Sequence, residues 1–198
     1  MSVTAMNFPY ETTVVSQKQF EDHITLYNGY VTMTNTTDKQ LATNPEYSSA
    51  SATGGHYRGW KKTETYSIDG MVLHELYFEN LGKINSAPGP KTLKLINKYF
   101  GSLEKWKEDF VACATSARGW CIFAYEQRTA ACRNILLDSH DDGIIITAYP
   151  IIVLDMYEHA YFLDYGTDKA AYINNFIKNL PWDTIERRTE MLDFCNAD

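Results

Sequence analysis

Apolar side chains recur every three or four positions over two long stretches in the first half of the chain, a spacing typical of helices with one buried face. The first stretch follows Ser16, a residue type that caps helix N-termini, and we predict that its helix ends near residues 35–37. The second runs from about residue 66 to residue 80 and is apolar on nearly every side, which predicts a fully buried helix. The polar segment between them, residues 42–55, matches neither pattern.

The second half of the chain has a different pattern, which begins after the sequence Pro88-Gly89-Pro90. Two prolines around a glycine stop a helix, so we predict a linker over residues 85–90 and a domain boundary between residues 87 and 88. Beyond it, helical spacing predicts two helices before a group of strands and two after it, the last a short one toward Arg188. The three apolar runs that predict strands are residues 119–125, 134–138 and 144–154.

Pro150 interrupts the third of these runs. Because proline has no N–H to donate within a sheet, we predict an edge strand or a bend at this position. The whole pattern predicts an α+β protein. An all-helical N-terminal part, residues 1–87, precedes a mixed part, residues 88–198, that contains a small antiparallel sheet.

Composition narrows the class of protein. The chain has 198 residues, of which 44% are hydrophobic and 14% aromatic, enough to bury a core and fold as a globular protein. Its formal net charge of −7 and its lack of a basic run argue against a nucleic-acid partner. No apolar run is long enough to span a membrane, and the N-terminus lacks the pattern of a signal peptide. The four cysteines form no C-x-x-C pair, so we expect reduced thiols and a cytoplasmic protein.

An acidic residue, Asp155, ends the apolar run 151–154, and a buried carboxylate requires a cationic or hydrogen-bonding partner. His159 lies four residues later, where the two side chains converge if a helix begins at Asp155. Alone, this spacing is also typical of an ordinary helix start. His23 and His74 lie on apolar faces of the two N-terminal helices, and three imidazoles with one carboxylate form a ligand set that suits Fe or Mn. On ligand type alone, tetrahedral zinc fits as well.

Residues 155–161, Asp-Met-Tyr-Glu-His-Ala-Tyr, resemble the D-x-W-E-H-A-Y motif of the iron/manganese superoxide dismutase family. Further stretches resemble the family in the same order, among them residues 16–23, 72–78, 118–120 and 181–183. The resemblance implies an N-terminal helical hairpin domain followed by a C-terminal α/β domain with a three-stranded antiparallel sheet. It also implies superoxide as the substrate, one Fe or Mn ion per subunit between the domains, and a homodimer or tetramer. The implied metal ligands are His23, His74, Asp155 and His159.

The resemblance implies further roles around the metal. Tyr30 would be the gateway tyrosine, and Trp120 and Tyr157 would line the pocket. Glu158 would cross a dimer interface to the partner subunit's His159, which would fix that imidazole ring and link assembly to chemistry.

A Gln or His side chain holds a metal-bound solvent molecule in the family. Gly70, four residues before His74, stands at the helix position where that Gln is often found, and glycine has no side chain to reach the solvent. His140 stands at the alternative position after the second strand, so we expect it to take this role. The other interpretation of His140 is a solvated loop residue beside acidic neighbours.

Two departures from the family occur together. The family usually has another His between the first ligand and the gateway tyrosine, in a stretch one residue longer, and it often has Tyr where Phe162 stands. Because these groups hydrogen-bond to each other in the family, their joint loss leaves neither one unpaired. The shorter stretch leaves two candidates for the gateway, Tyr30 and Tyr27, and His56 matches no family role. The alternative function is a homologue whose metal is structural or otherwise repurposed, with weak or no dismutation.

Overall fold

The structure, a computed structural model, describes residues 2–82 and 87–195, with side chains to residue 192. Within these residues the chain forms seven α-helices and one sheet of three strands. The helices are α1 (Gln17–Thr43), α2 (His56–Asn80), α3 (Pro90–Phe100), α4 (Leu103–Ser116), α5 (Phe162–Tyr165), α6 (Lys169–Lys178) and α7 (Trp182–Cys195). The strands are β1 (Trp120–Glu126), β2 (Ala131–Leu137) and β3 (Ala148–Asp155). None of these helices is both long and apolar enough to cross a membrane.

The first helix, α1, begins as predicted but is longer. The Ser16 hydroxyl accepts a hydrogen bond from Gln19 N at 3.2 Å and so caps the helix. The predicted end near residues 35–37 is wrong, because α1 continues to residue 43. Its last turns are polar, and the hydroxyls of Thr36 and Thr43 donate to carbonyls four residues earlier, at 2.8 Å in both cases. The rest of segment 42–55 contains a short 3-10 helix, Tyr47–Ser49.

The second helix, α2, begins at residue 56, well before the predicted start near residue 66. Its first turns are polar, with an ion pair between Lys61 and Glu64, so no apolar periodicity marks them. The prediction that this helix is buried on every side is also wrong. Leu73 is buried, whereas Ile68 and Val72 are 36% and 40% exposed. The helix therefore has one exposed apolar face.

The sheet has the order β2-β1-β3, and β1 pairs antiparallel with both neighbours, which confirms the predicted three-stranded antiparallel sheet. Among the described strands β3 lies at an edge, and Pro150 lies where its register shifts, between the partners of Phe123 and Ala124. The first part of the predicted third strand is wrong. Residues 144–146 precede β3, and Ile146 is 98% exposed, because strand propensity does not show whether a run finds a partner strand.

The helices predicted around the sheet are found as α3, α4, α6 and α7. The Ser102 hydroxyl caps α4 by accepting a hydrogen bond from Lys105 N at 3.2 Å. The last helix continues to residue 195, beyond its predicted end near Arg188. Pro90 of the predicted linker opens α3, where its missing N–H is not needed, and residues 85 and 86 lie outside the described residues. The domain boundary between residues 87 and 88 stays a prediction.

Two buried polar residues fix the C-terminal end of α2 against the sheet. The Asn80 Oδ1 atom accepts a hydrogen bond from Val153 N of β3 at 2.8 Å. Arg188 of α7 donates to Ile151 O of β3 at 2.9 Å and to Leu76 O of α2 at 2.8 Å. These bonds satisfy carbonyls at a helix end and on an edge strand, and they set the distance between the helical hairpin and β3.

Candidate metal centre

The four residues predicted as ligands come together from four elements. His23 lies on α1, His74 on α2, Asp155 at the end of β3 and His159 in a 3-10 helix, Glu158–Ala160. The Nε2 atoms of the three histidines, in that order, lie 3.2, 3.7 and 3.3 Å from Asp155 Oδ2. One donor atom from each residue lies within 4.8 Å of all the others. Three nitrogens and one oxygen at this spacing can surround a single ion.

The fold explains why these residues meet. His23 near the start of α1 and His74 near the end of α2 lie at the same end of the hairpin, with ring centroids 5.0 Å apart. On the side of the sheet, the antiparallel register places Asp155 directly opposite Trp120. The hairpin therefore carries two of the predicted ligands, and the last residue of the edge strand is the third.

The turn after β3 carries the fourth predicted ligand, and no α-helix begins at Asp155. Asp155 is the last strand residue, and Tyr157 N donates to its Oδ1 atom at 2.8 Å. The chain then enters the 3-10 helix that brings His159 back toward Asp155. One carboxylate oxygen is thus occupied by the backbone, and the other faces the imidazoles.

Two buried nitrogens in this cluster have no hydrogen-bond partner. They are the Nε2 atoms of His23 and His74, whose side chains are 2% and 0% exposed. His74 Nδ1 donates to Gly70 O at 2.5 Å, so its Nε2 atom carries the free lone pair. Buried polar atoms without partners are rare in native proteins, and here both face the same carboxylate. A metal cation would satisfy them, so the residues fit the predicted Fe or Mn ion.

Burial sets the charge of the ligands. It lowers the pKa of His23 and lowers that of His74 to about 3, so both imidazoles are neutral near pH 7. Burial raises the pKa of Asp155, but the imidazoles of His159 and His23 beside its carboxylate outweigh burial and hold the pKa below its ordinary value. The cluster therefore offers neutral nitrogens and an anionic oxygen, which is the protonation state that binds metals.

A chain of hydrogen bonds runs beside the ligands. The Trp120 indole N–H donates to His140 Nδ1 at 2.9 Å, and His140 Nε2 lies 2.7 Å from the Tyr30 hydroxyl. Burial lowers the pKa of His140 to about 4, so its ring is neutral near pH 7. Because the indole can only donate, His140 Nδ1 must accept, and the proton lies on Nε2, which donates to the Tyr30 oxygen.

His140 is fully buried, which contradicts the interpretation of it as a solvated loop residue. The space beside Gly70 is also filled. A Cβ atom there would lie 2.8 Å from Tyr30 Cδ1 and 3.0 Å from His140 Cδ2. Glycine at position 70 therefore lets two aromatic rings approach the helix backbone next to His74.

Of the two gateway candidates, Tyr30 is the one whose hydroxyl lies within hydrogen-bond distance of His140. The Tyr27 hydroxyl donates to Glu75 Oε1 at 2.8 Å and accepts from Met6 N at 2.8 Å, so these two groups occupy it. The Tyr30 ring lies 5.0 Å from the ring of His74, and burial raises the pKa of its hydroxyl well above the ordinary value. Tyr30 therefore stays protonated beside a ligand.

Tyr66 is a site residue that the sequence did not reveal. Its ring lies 4.5 Å from that of His140 and 6.1 Å from that of Tyr30, and its hydroxyl interacts with those of Tyr30 and Tyr157. Tyr66 is 39% exposed and borders a surface pocket, so it is the outermost member of this group. The sequence signal that could have revealed Tyr66 is its spacing, because residues 66, 70 and 74 form one row along α2.

The side of the site near His159 lies at the surface. The His159 side chain is 28% exposed, and the Tyr157 ring stacks on it with centroids 5.2 Å apart. Trp120 lies against Tyr157 at 6.3 Å, so both predicted wall residues are at the site. Glu158 is exposed, and two apolar residues follow: Phe162 and Leu163, which are 50% and 59% exposed.

His56, which matched no family role, lies outside the cluster. His56 begins α2, its side chain is 77% exposed, and its Nδ1 atom lies 3.2 Å from Glu46 Oε1. It contacts none of the four ligands through an ion pair or a ring contact in the described part of the chain.

One family model and several named proteins are similar to this chain. Residues 88–188 match the family described as iron/manganese superoxide dismutases, C-terminal domain. Superoxide dismutase (Mn) 1 of Halobacterium salinarum is 31% identical over 169 residues, which cover 85% of this chain and 82% of that protein. Superoxide dismutase (Fe) of Aquifex aeolicus is 33% identical over 186 residues, which cover 92% of this chain and 87% of that protein. Superoxide dismutase (Fe) of Aquifex pyrophilus is 34% identical over 188 residues, with the same coverage.

Proposed function

The chain belongs to the iron/manganese superoxide dismutase family, and from this premise we propose that it catalyses the disproportionation of superoxide to dioxygen and hydrogen peroxide. The observation that carries the proposal is the cluster of His23, His74, Asp155 and His159, whose donor atoms converge within 4.8 Å. Relatives are named for manganese and for iron, so we propose one ion of Fe or Mn per subunit at these residues. The ligand types do not separate the two metals.

A bound Fe or Mn ion supplies the electron chemistry, in which one superoxide is oxidised and another is reduced. The residues of the chain would hold the ion and fix the positions of the protons beside it. The Asp155 carboxylate offsets the positive charge, and the burial of His23 and His74 excludes water from that side. Tyr30 keeps its proton at the hydroxyl oxygen, and His140 fixes that oxygen by donating to it. Trp120 in turn fixes the orientation of the His140 ring.

The pocket beside Tyr66 is the proposed entrance for substrate. Lys62, Thr63, Tyr66 and Asp141 line it, and Lys62 Nζ lies 3.0 Å from Asp141 Oδ2. Superoxide is an anion and the chain carries a net charge of −7, so pairing with Lys62 would offset the repulsion that Asp141 exerts at this entrance.

Activity of the metal-loaded protein tests this proposal. Metal-free protein is loaded with Fe or with Mn, its metal content is measured, and the loss of superoxide is followed. We expect a metal-dependent loss that exceeds the loss caused by the same amount of free ion. Loaded protein that removes superoxide no faster than free ion would show that the protein is not a dismutase.

The alternative is a family homologue in which the metal has a structural role. Two departures from the family favour it: the chain lacks the additional His between the first ligand and the gateway tyrosine, and it has Phe162 where the family often has Tyr. Such a protein would bind Fe or Mn and gain thermal stability from the ion, because binding to the folded state alone stabilises it. A large rise in melting temperature on metal loading, together with no dismutation, would support this alternative.

Tyr66→Phe is expected to lower activity at unchanged metal content. The substitution keeps the ring that packs on His140 and removes the hydroxyl that interacts with Tyr30 and Tyr157. Loss of groups just outside the ligands costs roughly 10–100-fold, and we expect about the lower limit for this outer residue. The matched control is Tyr47→Phe, since Tyr47 is 71% exposed in the connection before α2. Equal activities of the two variants would remove Tyr66 from the site.

We also propose that the protein is a homodimer through the surface around Glu158. Phe162 and Leu163 expose apolar area beside His159, a ligand that solvent still reaches in the isolated chain. A second copy on this surface would cover the apolar residues and place Glu158 within reach of the partner subunit's His159. Covering an exposed ligand would keep water and competing chelators from the ion.

Phe162→Glu is expected to convert the dimer to a monomer and to speed the loss of metal to a chelator. A charge in the centre of an apolar interface is unpaired and costly to bury. Sedimentation measures the assembly, and chelator competition measures the rate of metal loss. Ile146→Glu is the control, because Ile146 is 98% exposed and precedes β3, whereas the proposed surface follows the other end of that strand. A dimer that persists in Phe162→Glu would place the interface elsewhere.

We propose a cytoplasmic location as well. Of the four cysteines, the three whose side chains the structure describes, Cys113, Cys121 and Cys132, are free thiols. Free thiols persist in reducing compartments, where stable disulfides are rare. Alkylation of thiols in freshly lysed cells, followed by peptide mapping, would test whether they are reduced in the cell.

A further inference from the structure

Two thiols meet where α4 packs on β1. Cys121 of β1 is fully buried, and its Sγ atom donates to Phe110 O of α4 at 3.7 Å. Cys113 lies one turn after Phe110 on the same helix, and helical side chains lean toward the preceding turn. Cys113 therefore lies beside the contact that Cys121 makes with α4, and the two thiols interact with each other.

The two thiols differ in access and acidity. Cys113 is partly exposed and borders a surface groove, whereas Cys121 is not accessible to solvent. The Cys121 thiol can donate to the Cys113 thiolate and holds the pKa of Cys113 below its ordinary value, although burial acts in the opposite sense. Burial raises the pKa of Cys121. The accessible member of the pair is therefore the better nucleophile, and its neighbour lies in position to react second.

We propose that Cys113 and Cys121 form a peroxide-reactive pair that closes to a disulfide. The Cys113 thiolate attacks one oxygen of hydrogen peroxide and the O–O bond breaks. The released hydroxide takes up a proton to form water, and Cys113 becomes a sulfenic acid. Cys121 sulfur then attacks Cys113 sulfur and a second water leaves. Peroxide is reduced by two electrons, and the two thiols are oxidised to one disulfide.

The pair lies close in sequence to the proposed source of hydrogen peroxide. Hydrogen peroxide is a product of the proposed reaction, and Cys121 directly follows Trp120, whose indole holds His140. The disulfide would join α4 to the strand that carries this side of the site. The pair itself does not depend on the proposed function, because peroxide can be supplied from outside.

The test treats the reduced, folded, full-length protein with a small excess of hydrogen peroxide. Thiols are then counted after denaturation, and alkylated peptides are mapped by mass spectrometry. We expect the count to fall from four to two, with one cross-linked peptide that joins Cys113 to Cys121. No oxidation of Cys113 in the folded protein, or a cross-link to another cysteine, would overturn the proposal.

Three substitutions assign the two steps. Cys121→Ser should stop the disulfide and leave a sulfenic acid on Cys113 that dimedone captures, whereas Cys113→Ser should leave Cys121 reduced. Cys132→Ser is the matched control, because Cys132 is buried and burial raises its pKa to about 12. This variant should form the same cross-link at the same rate. In the unsubstituted protein, hydrogen peroxide should oxidise Cys113 at least roughly tenfold faster than Cys132. Equal oxidation rates of the two thiols in the folded protein would contradict the proposed pair.

Discussion

Asp155→Ala is expected to abolish metal binding. Asp155 supplies the anionic oxygen of the cluster, and its Oδ2 atom lies 3.2 to 3.7 Å from three imidazole nitrogens. Without it, neutral donors alone would face a buried cation. Removing one partner of a buried charge pair costs about 3–5 kcal/mol, which corresponds to a loss of roughly 10²–10³-fold or more in affinity. Elemental analysis after metal loading and dialysis measures the outcome.

Two further variants separate charge from fold. Asp155→Asn keeps an oxygen near the same place and removes the charge, so its affinity should lie between those of the Ala variant and the unsubstituted protein. Asp142→Ala removes an exposed carboxylate from the loop after β2 and should bind metal fully. His159→Ala should lose metal nearly as completely as Asp155→Ala. Full occupancy in a folded Asp155→Ala protein would remove this residue from the ligand set.

The burial of three members of the cluster, His23, His74 and Asp155, could be predicted from the sequence because they lie on regular elements. Helical periodicity placed His23 and His74 on buried faces, and the apolar run 151–154 placed Asp155 at the end of a strand. A residue on the apolar face of a helix or at the end of an apolar strand is buried whichever element packs against it. The family resemblance then joined positions that periodicity could not join, since local patterns do not say which elements meet.

Tyr66 could not be found in this way. It is exposed on α2, and its contact with His140 depends on how α2 packs against the loop after β2. Gly70 is a second case that the sequence alone could not resolve. The sequence shows a missing side chain there, but only the packing shows that the rings of Tyr30 and His140 fill the space. Contacts between distant segments decide both cases.

The helix ends were missed for a different reason. The last turns of α1 and the first turns of α2 are held by local polar bonds, such as Thr36 to the Thr32 carbonyl and Lys61 to Glu64. Apolar periodicity does not report such turns, and threonine is a weak helix former by propensity. Both helices therefore extend beyond the segment whose burial the sequence shows.

His140→Ala is expected to spare metal binding and to damage turnover. The ring touches none of the four donor atoms through a hydrogen bond, but it joins Trp120 to Tyr30 by bonds of 2.9 and 2.7 Å. Its removal leaves the buried indole N–H without a partner and frees the Tyr30 hydroxyl to move. Losses of this kind commonly cost roughly 10–100-fold in activity. Superoxide removal must be compared at equal metal content, measured on the same samples.

His140→Gln is expected to recover most of that loss, and it distinguishes a hydrogen-bonding role from a packing role. The Gln carbonyl oxygen can accept from the Trp120 indole while its NH₂ group donates to the Tyr30 oxygen, which is the pattern that neutral His140 provides. His140→Leu fills similar space without either bond and should remain as poor as the Ala variant. His56→Ala, an exposed histidine outside the cluster, should match the unsubstituted protein. If the Leu variant were as active as the Gln variant, His140 would act through its volume alone, and the proton on Nε2 would have no part in holding Tyr30.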